Sequence, residues 1–291
     1  MALTINTNIS SMVAQRNLSN ATTSLNQAIE RMTTGYKINH AGDNAAGYSI
    51  ARNWETQLGS LDVAADNAAM GSDMMSTLED NYSLISSHLQ RVRDLTEQAA
   101  NGTYGSDSLA AIKSEMKARL DEIDRIAANC EYNGIKLMNG DHGSADINLQ
   151  VGLYSGNDSK IVLDKSLFKS ATSGVLFSTY TSDSSLTTSE LIATKCSAAA
   201  TADDMLDEID KVIKQISTRT TTLGAAQNRI DSAIESIGVQ SENITSSLST
   251  LRDADISKES SRYIQSQILQ QAAATLLSTA NQTPSIALNL I

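Results

Sequence analysis

A three-and-four spacing of apolar residues over positions 54–99 is the sequence feature that most limits the possible folds. Fourteen positions taken in these steps span the stretch, and eleven of them are apolar. Such spacing marks one face of an α-helix, and one proline in 291 residues permits very long helices. The pattern predicts a helix about 80 Å long, because each residue adds ~1.5 Å.

Three other stretches carry the same spacing and are predicted to be helices. The first should end at Gly35 and the long helix at Asn101-Gly102, because glycine commonly follows a helix end. The last matches the long helix in length, although Arg219 and two other polar residues interrupt its apolar face. The apolar positions are Leu18, Ala21, Leu25, Ala28 and Met32; Leu109, Ile112, Met116, Leu120, Ile123 and Ala127; and Ile209, Val212, Ile216, Leu223, Ala226, Ile230, Ala233, Ile237, Ile244 and Leu251.

Long helices from opposite ends of the sequence need a shared core, which predicts a mainly α fold. We expect a long antiparallel helical hairpin or coiled-coil bundle with both chain ends at the same end. The middle should add a small β-hairpin region, because Asn133-Gly134 is a hairpin turn signal and residues 147–153 and 161–163 have strand patterns. Over residues 170–201, fifteen of 32 are Ser or Thr, and we expect an exposed loop with little core of its own.

The C-terminal stretch 263–291 carries no charged side chain. Its apolar residues form one broad helical face, and the opposite face carries Gln, Ser and Asn instead of Lys and Glu. Uncharged polar groups can be buried against other chains without the cost of burying a charge. We therefore expect this stretch to pack against the N-terminal helix and against neighbouring copies. The expected self-assembly residues are Ile264, Ile268, Ala272, Leu276, Ala280 and Leu290, together with Leu18, Leu25 and Met32.

Composition and motifs argue against several classes of function. A net charge of −11 and an aromatic content of 4% argue against nucleic-acid binding, and no apolar run is long enough for membrane insertion. His40, His88 and His142 are scattered, so we predict no metal site, no cofactor and no catalytic site. Cys130 and Cys196 flank different predicted helices, so we expect no disulfide between them.

Both ends of the chain resemble bacterial flagellins, over residues 1–140 and 203–291. The resemblance rests on motifs that occur in the family's order. They are Ile5-Asn6-Thr7-Asn8, Ala14-Gln15-Arg16-Asn17-Leu18, Arg31-Met32-Thr33-Thr34-Gly35-Tyr36-Lys37-Ile38-Asn39, Asp43-Asn44-Ala45-Ala46-Gly47-Tyr48-Ser49-Ile50, Leu223-Gly224-Ala225-Ala226-Gln227-Asn228-Arg229, Asp253-Ala254-Asp255, Gln267-Ile268-Leu269-Gln270-Gln271-Ala272 and Ala280-Asn281-Gln282.

The resemblance implies a structural subunit that polymerises into the extracellular flagellar filament for swimming. Residues 1–43 with 254–291 should form an inner coiled-coil domain, and residues 44–140 with 203–253 an outer helical rod. Residues 141–202 should form a short variable β and loop region. Implied partners are further copies of the chain, an export chaperone of the flagellar type III pathway, and the filament cap and hook-junction proteins.

A second implied role is recognition of the monomer by the toll-like receptor that senses flagellin in vertebrates. The stretch Leu89-Gln90-Arg91-Val92-Arg93-Asp94-Leu95 is similar to the family's receptor patch, which makes Arg91, Leu95 and Glu115 the expected contacts. The alternative for these residues is ordinary structure: solvated helix charges for Arg91 and Glu115, and packing for Leu95. Two other classes stay open from sequence alone, a hook–filament junction protein and a secreted coiled-coil effector or translocator.

Overall fold

The computed structural model of the chain describes residues 7–140, 146–177 and 199–288. Six helices and two small antiparallel hairpins lie within them, which confirms the predicted mainly α fold. The helices are α1 (Ile9–Thr34), α2 (Ala45–Ala100), α3 (Ser106–Asn129), α4 (Ser173–Leu176), α5 (Ala199–Arg252) and α6 (Ile256–Leu288). The strands are β1 (Glu131–Tyr132), β2 (Ile135–Lys136), β3 (Ile147–Gln150) and β4 (Lys160–Leu163).

Local sequence signals produce the observed element ends. Gly35 adopts a left-handed conformation with φ of 75°, and its backbone N–H donates to the Arg31 carbonyl at 2.9 Å, which terminates α1. At the other end of α1, the Asn8 side chain accepts from the Ser11 backbone N–H at 3.0 Å. Asn133 and Gly134 have φ of 48° and 80°, as a two-residue turn between β1 and β2 requires.

The chain divides into two compact units, one of Met1–Leu58 with Ser241–Ile291 and one of Gly59–Gln240. In the second unit, α2, α3 and α5 bury a continuous apolar core, and the predicted helical faces supply it. Its fully buried side chains include Met75, Leu78, Tyr82, Ile85 and Leu89 of α2, Met116, Leu120 and Ile123 of α3, and Ile209, Leu223 and Ile230 of α5. Gln227 of α5 donates to Glu79 and Asp210 pairs with Arg93, so α5 runs antiparallel to α2.

The segment 165–177 is part of this core, so the prediction of an exposed loop from residue 170 onwards is wrong for residues 170–177. Ala171, Leu176 and Phe177 are buried, and residues 178–198 lie outside the described part of the chain. The Ser/Thr-rich composition concealed this short apolar cluster. The segment up to Phe177 is therefore part of the packed unit.

Side chains of α2, α3 and α5 form hydrogen bonds with the segment 165–177, most of them to its backbone. The Tyr82 hydroxyl donates to the Leu167 carbonyl at 2.8 Å, and Arg219 Nη1 donates to the carbonyls of Lys169 and Ser170 at 3.1 and 3.2 Å. Asp124 accepts from the backbone N–H of Ser173 at 2.5 Å and from its hydroxyl at 2.7 Å. Arg219 interrupts the apolar face of α5 because it anchors this segment.

The β3–β4 hairpin packs on α2 at a glycine. A Cβ atom added to Gly71 would lie 2.4 Å from Leu149 Cδ1, which is far inside van der Waals contact. Beside it, Asn67 Nδ2 donates to the Gln150 carbonyl at 3.1 Å. The missing side chain of Gly71 therefore leaves room for Leu149 against the helix, and any larger residue there would have to displace Leu149.

Cys130 is buried at the end of α3, where burial raises the pKa of its thiol to about 11. In the unfolded chain the pKa of the thiol is near 8.5. Between about pH 8.5 and 11 the folded state therefore keeps the thiol proton, whereas the unfolded state loses it. The buried Cys130 thiol therefore makes its full contribution to the free energy of unfolding below about pH 8.5. This contribution is lost as the pH rises to about 11.

We expect the stability advantage of the wild type over Cys130→Ala to shrink by on the order of 2 kcal/mol between pH 8 and pH 11. Denaturant unfolding of both proteins across this range, under reducing conditions, measures the difference. Comparing the two proteins cancels the lysines and tyrosines that titrate in the same range. A difference that stays constant with pH would show that the buried thiol has an ordinary pKa.

Candidate assembly surface

Helices α1 and α6 pair antiparallel within the unit formed by the two chain ends. Asn8 Nδ2 donates to the Ala280 carbonyl at 2.7 Å, and the Ser11 hydroxyl donates to Asn281 Oδ1 at 2.7 Å. Further along, Gln270 Nε2 donates to the Thr22 hydroxyl at 3.2 Å. These contacts place the start of α1 beside the end of α6.

The buried positions on the facing sides of the two helices recur every seven residues, and apart from Glu259 at the start of α6 their side chains are small. On α1 the buried residues are Ala14, Ala21 and Ala28, and on α6 they include Ser266 and Ala273. The predicted residues Leu18, Leu25 and Met32 are half-buried at the side of this line. Because the contact line is narrow, most large apolar side chains of the pair are exposed among the residues that the structure describes.

The predicted apolar stripe of α6 is largely left uncovered by α1. Ile264, Ile268 and Leu276 are 52%, 60% and 63% exposed. Ala272 is also exposed and Ala280 is half-buried, whereas Leu290 lies outside the described residues. On α1, the apolar side chains of Ile9 and Met12 are exposed as well. We call Ile264, Ile268, Ala272 and Leu276 the α6 apolar face.

A groove of about 770 Å³ runs between α1 and α6. The small residues of the contact line form part of its wall, and Leu269 and Leu276 add apolar surface. Arg31, Glu259 and Arg262 lie at one end of it. Asn17, Asn20 and Gln265 are among its uncharged polar lining residues, so the groove is mixed along its length and charged at one end.

The links into and out of the helix pair are held by specific contacts. The Lys37 backbone N–H donates to the Arg252 carbonyl at 2.7 Å, and the Arg252 guanidinium stacks 3.9 Å from the centre of the Tyr36 ring. Asp43 accepts from the backbone N–H groups of Asn39 and His40, both at 3.1 Å. The hydrogen bond from His40 is the largest effect that holds the pKa of Asp43 below its usual range.

The residues expected to contact a receptor occupy different environments. Arg91 and Glu115 form a two-point pair, with Nε–Oε1 at 2.8 Å and Nη2–Oε2 at 3.1 Å, and both are partly exposed. Arg91 also holds the pKa of Glu115 below its usual range. Leu95, however, is only 1% exposed and belongs to the core. Leu95 cannot present its side chain to a partner while α2 stays packed, so it is removed from the expected contacts.

The described residues contain no group of three or more His, Cys, Asp or Glu side chains arranged to hold a metal ion. No helix in the described ranges combines the length and apolar character that a membrane span requires. Long paired helices with a free apolar face at the chain ends define a helical structural protein of the kind that forms assemblies.

Comparison with known protein families identifies the family of this helical structural protein. The model of the bacterial flagellin N-terminal helical region matches residues 5–142, and that of the bacterial flagellin C-terminal helical region matches residues 206–291. The chain belongs to the bacterial flagellin family. It is a structural subunit of the extracellular flagellar filament, a polymer of copies of this chain that serves swimming motility.

Individual relatives agree over almost the whole chain. A flagellin from Halalkalibacterium halodurans is 32% identical over 287 residues, and one from Listeria innocua is 31% identical over 287 residues. Each alignment covers 99% of both chains. A solved structure described as a flagellar hook-associated protein from Vibrio parahaemolyticus has a TM-score of 0.58 at 14% identity, covering 72% of this chain and 100% of that one. This last likeness shows the fold alone.

Proposed function

We propose that the α6 apolar face is the surface through which filament subunits assemble. The observation that carries this proposal is the exposure of Ile264, Ile268 and Leu276 on a helix with no charged side chain after Arg262. Contiguous exposed apolar side chains of this size usually mark an interaction surface. Leu18, Leu25 and Met32 flank the same helix pair and belong to the proposed surface, as do Ala280 and Leu290.

The proposal divides the chain by role. Residues 1–43 with 254–291 act as the inner assembly domain, and residues 44–140 with 203–253 act as the outer rod. Residues 141–202 form the variable region, of which residues 141–145 and 178–198 lie outside the described part. Within this scheme the chain has no enzymatic role. The further partners are an export chaperone, the filament cap and the hook-junction proteins.

Electron microscopy of the purified chain after polymerisation tests the assembly proposal. Wild-type chains should form filaments, and a charge placed on the α6 apolar face should prevent their growth. Filaments that tolerate such a charge would refute the proposed surface. Burial of one leucine contributes ~1.5–3 kcal/mol, so several such residues per subunit can drive polymerisation.

A second candidate role is recognition of the monomer by the toll-like flagellin receptor. The observation that favours it is the partly exposed Arg91–Glu115 pair on α2 and α3, within a stretch similar to the family's receptor patch. A planar guanidinium can exchange its partner and form multidentate hydrogen bonds with a receptor. Monomers should activate the receptor more strongly than filaments do, because assembly can cover the patch.

Arg91→Ala should weaken receptor activation by roughly thirtyfold or more, since truncating an interface arginine often costs ~2 kcal/mol or more. The fold should survive, because an exposed ion pair contributes at most ~1 kcal/mol. A dose series of receptor signalling, with circular dichroism melting on the same samples, measures both effects. Arg125→Ala is the matched control, because Arg125 forms an exposed pair with Glu122 on α3 alone. Equal potency of wild type and Arg91→Ala would exclude Arg91 from the contact.

A further inference from the structure

Two short links connect the helix pair α1–α6 to α2 and α5, and their backbones are paired with each other. The links are residues 35–44 and 253–255. The Ala254 backbone N–H donates to the Gly35 carbonyl at 2.8 Å, and the Lys37 backbone N–H donates to the Arg252 carbonyl at 2.7 Å. These hydrogen bonds lie around an isolated antiparallel bridge, and we call the paired region the link ladder. It is too short to be stable alone, because even a two-stranded hairpin is marginal in water.

The Arg252 side chain joins the link ladder to α2. Its guanidinium lies 3.9 Å from the centre of the Tyr36 ring on the first link, and it forms an ion pair with Glu55 of α2. The Arg252 side chain is only 19% exposed, so water weakens these attractions less than it weakens those of an exposed pair. Beside it, Lys37 Nζ donates to the Thr250 carbonyl at 2.8 Å. Arg252 therefore stabilises the ladder from α5 and α2 together.

Beyond the link ladder, the pairing of α1 with α6 depends on weaker contacts. The buried side chains of α1 are alanines, and an alanine buries much less apolar area than a leucine does. At the far end of the pair, the contacts of Asn8 and Ser11 are uncharged hydrogen bonds. A charged contact, from Arg31 Nη1 to Glu259 Oε1 at 3.7 Å, lies at the ladder end. The strongest contacts of the pair are thus concentrated near the ladder.

Closing the ladder lowers the entropy cost of pairing the two helices. When Lys37 and Arg252 are in contact, only short segments separate the ladder from the contact between Arg31 and Glu259. Closing a shorter loop costs less entropy, so pairing can proceed from the ladder towards the chain ends. With the ladder open, the weakly held pair has to form without a preceding contact.

We propose that the link ladder is a conformational switch, that Arg252 stabilises its closed form, and that closure is required for α1 to pair with α6. The closed form presents the α6 apolar face and the exposed apolar residues of α1 on one paired unit. The open form leaves the two helices unpaired and presents no such surface. The inference deepens the proposed function and rests on it, because only the closed form is competent for assembly.

Assembly depends on how many free subunits are closed. The apparent affinity of a subunit for a filament end falls in proportion to the fraction of competent subunits. Because the helix pair is weakly held, the open form should predominate in the free subunit. Any loss of ladder stability then lowers the closed fraction by the same factor. Loss of the ion pair and the ring contact of Arg252 should lower it roughly tenfold.

The critical concentration for filament growth measures this fraction. Chains of the full sequence are added to short wild-type filaments, and sedimentation gives the concentration of chain that stays unpolymerised. Arg252→Gln removes the charge and should raise this concentration roughly tenfold. Tyr36→Leu removes only the ring contact and should raise it roughly threefold.

Arg52→Gln is the matched control, because Arg52 makes the same kinds of contact within α2. It pairs with Glu55 at 3.0 Å and lies 5.2 Å from the centre of the Tyr48 ring. Its critical concentration should stay within about twofold of the wild-type value. Circular dichroism melting of each variant checks that the unit Gly59–Gln240 is folded.

Hydrogen exchange in intact filaments reports on the ladder directly. Arg252→Gln is copolymerised as a minority with the wild type, and its peptide containing residue 252 and the Ala254 amide is recognised by its mass. The Ala254 amide should exchange roughly tenfold faster in the variant subunits, because exchange follows local opening. In filaments of Arg52→Gln it should exchange at the wild-type rate. If Arg252→Gln enters no filaments, filaments of Tyr36→Leu provide the same two measurements.

An unchanged critical concentration with unchanged exchange in Arg252→Gln would overturn the inference. A raised critical concentration without faster exchange would also overturn it, because Arg252 would then act outside the ladder. Faster exchange without a raised critical concentration would overturn it as well, since ladder closure would not limit assembly. Equal effects from Arg52→Gln would count against it by assigning the result to Glu55 alone. Normal filaments from Leu276→Asp would refute the proposed assembly surface, and the two Arg252 measurements would still decide whether the ladder controls assembly.

Discussion

Leu276→Asp is expected to abolish filament growth while the unit Gly59–Gln240 stays folded. Leu276 is 63% exposed within the chain, so its replacement leaves the chain's own packing almost unchanged. In a filament that buries this face, the charge would lose its hydration and cost several kcal/mol. Helical symmetry repeats that cost in every subunit, so no partial assembly avoids it. Removal of residues 281–291 should have the same result.

Sedimentation and electron microscopy measure assembly, and circular dichroism melting of the same sample measures the fold. Tyr154→Asp is the matched control, because Tyr154 is 70% exposed on the loop between β3 and β4 and lies outside the proposed surface. Normal filaments from Leu276→Asp would show that the α6 apolar face is not an interface. Loss of the main melting transition would show that α6 supports the monomer's core.

Leu120→Ala should strongly destabilise the unit, lowering the free energy of unfolding by roughly 2–5 kcal/mol. Leu120 is fully buried on α3 and belongs to the core shared with α2 and α5. The substitution leaves a cavity that packed helices can only partly close. For a unit of this size, about 2–4 °C of melting temperature is lost per kcal/mol. Thermal melting of the monomer measures the shift.

The comparison for this prediction is Leu84→Ala, which removes the same atoms from an exposed position on α2. Its melting temperature should stay close to that of the wild type, because little apolar surface returns to water. Equal shifts from the two substitutions would mean that α3 does not share the core of α2 in solution.

Local rules made much of the fold predictable from sequence. The spacing over residues 54–99 predicted α2, Gly35 predicted the end of α1, and Asn133-Gly134 predicted the β1–β2 turn. Each depends on a period or a backbone preference confined to a few residues, so no distant contact can conceal it. The end of α2 before Asn101-Gly102 has the same origin.

Long-range contacts explain the places where the structure differs from the sequence predictions. The local sequence shows Arg219 only as an interruption of an apolar face, because nothing in its neighbourhood indicates that it bonds two carbonyls about fifty residues away. The motif predicts Leu95 as a surface contact because it shows similarity without showing which helix face is covered. Helical periodicity likewise identifies an apolar face on α6. It does not separate residues that meet α1, such as Ala273, from residues left free, such as Leu276.

The anchoring of residues 167–173 by Tyr82, Asp124 and Arg219 has a consequence for how the chain can vary in length. The anchored segment on one side and α5 on the other are two fixed points of the same unit. Doubling the length of a flexible segment between fixed points costs only about 0.6 kcal/mol of closure entropy. Extra sequence inserted after Phe177 would thus barely alter the thermodynamics of the unit. The helices of the unit would keep their packing while the sequence after Phe177 grew longer.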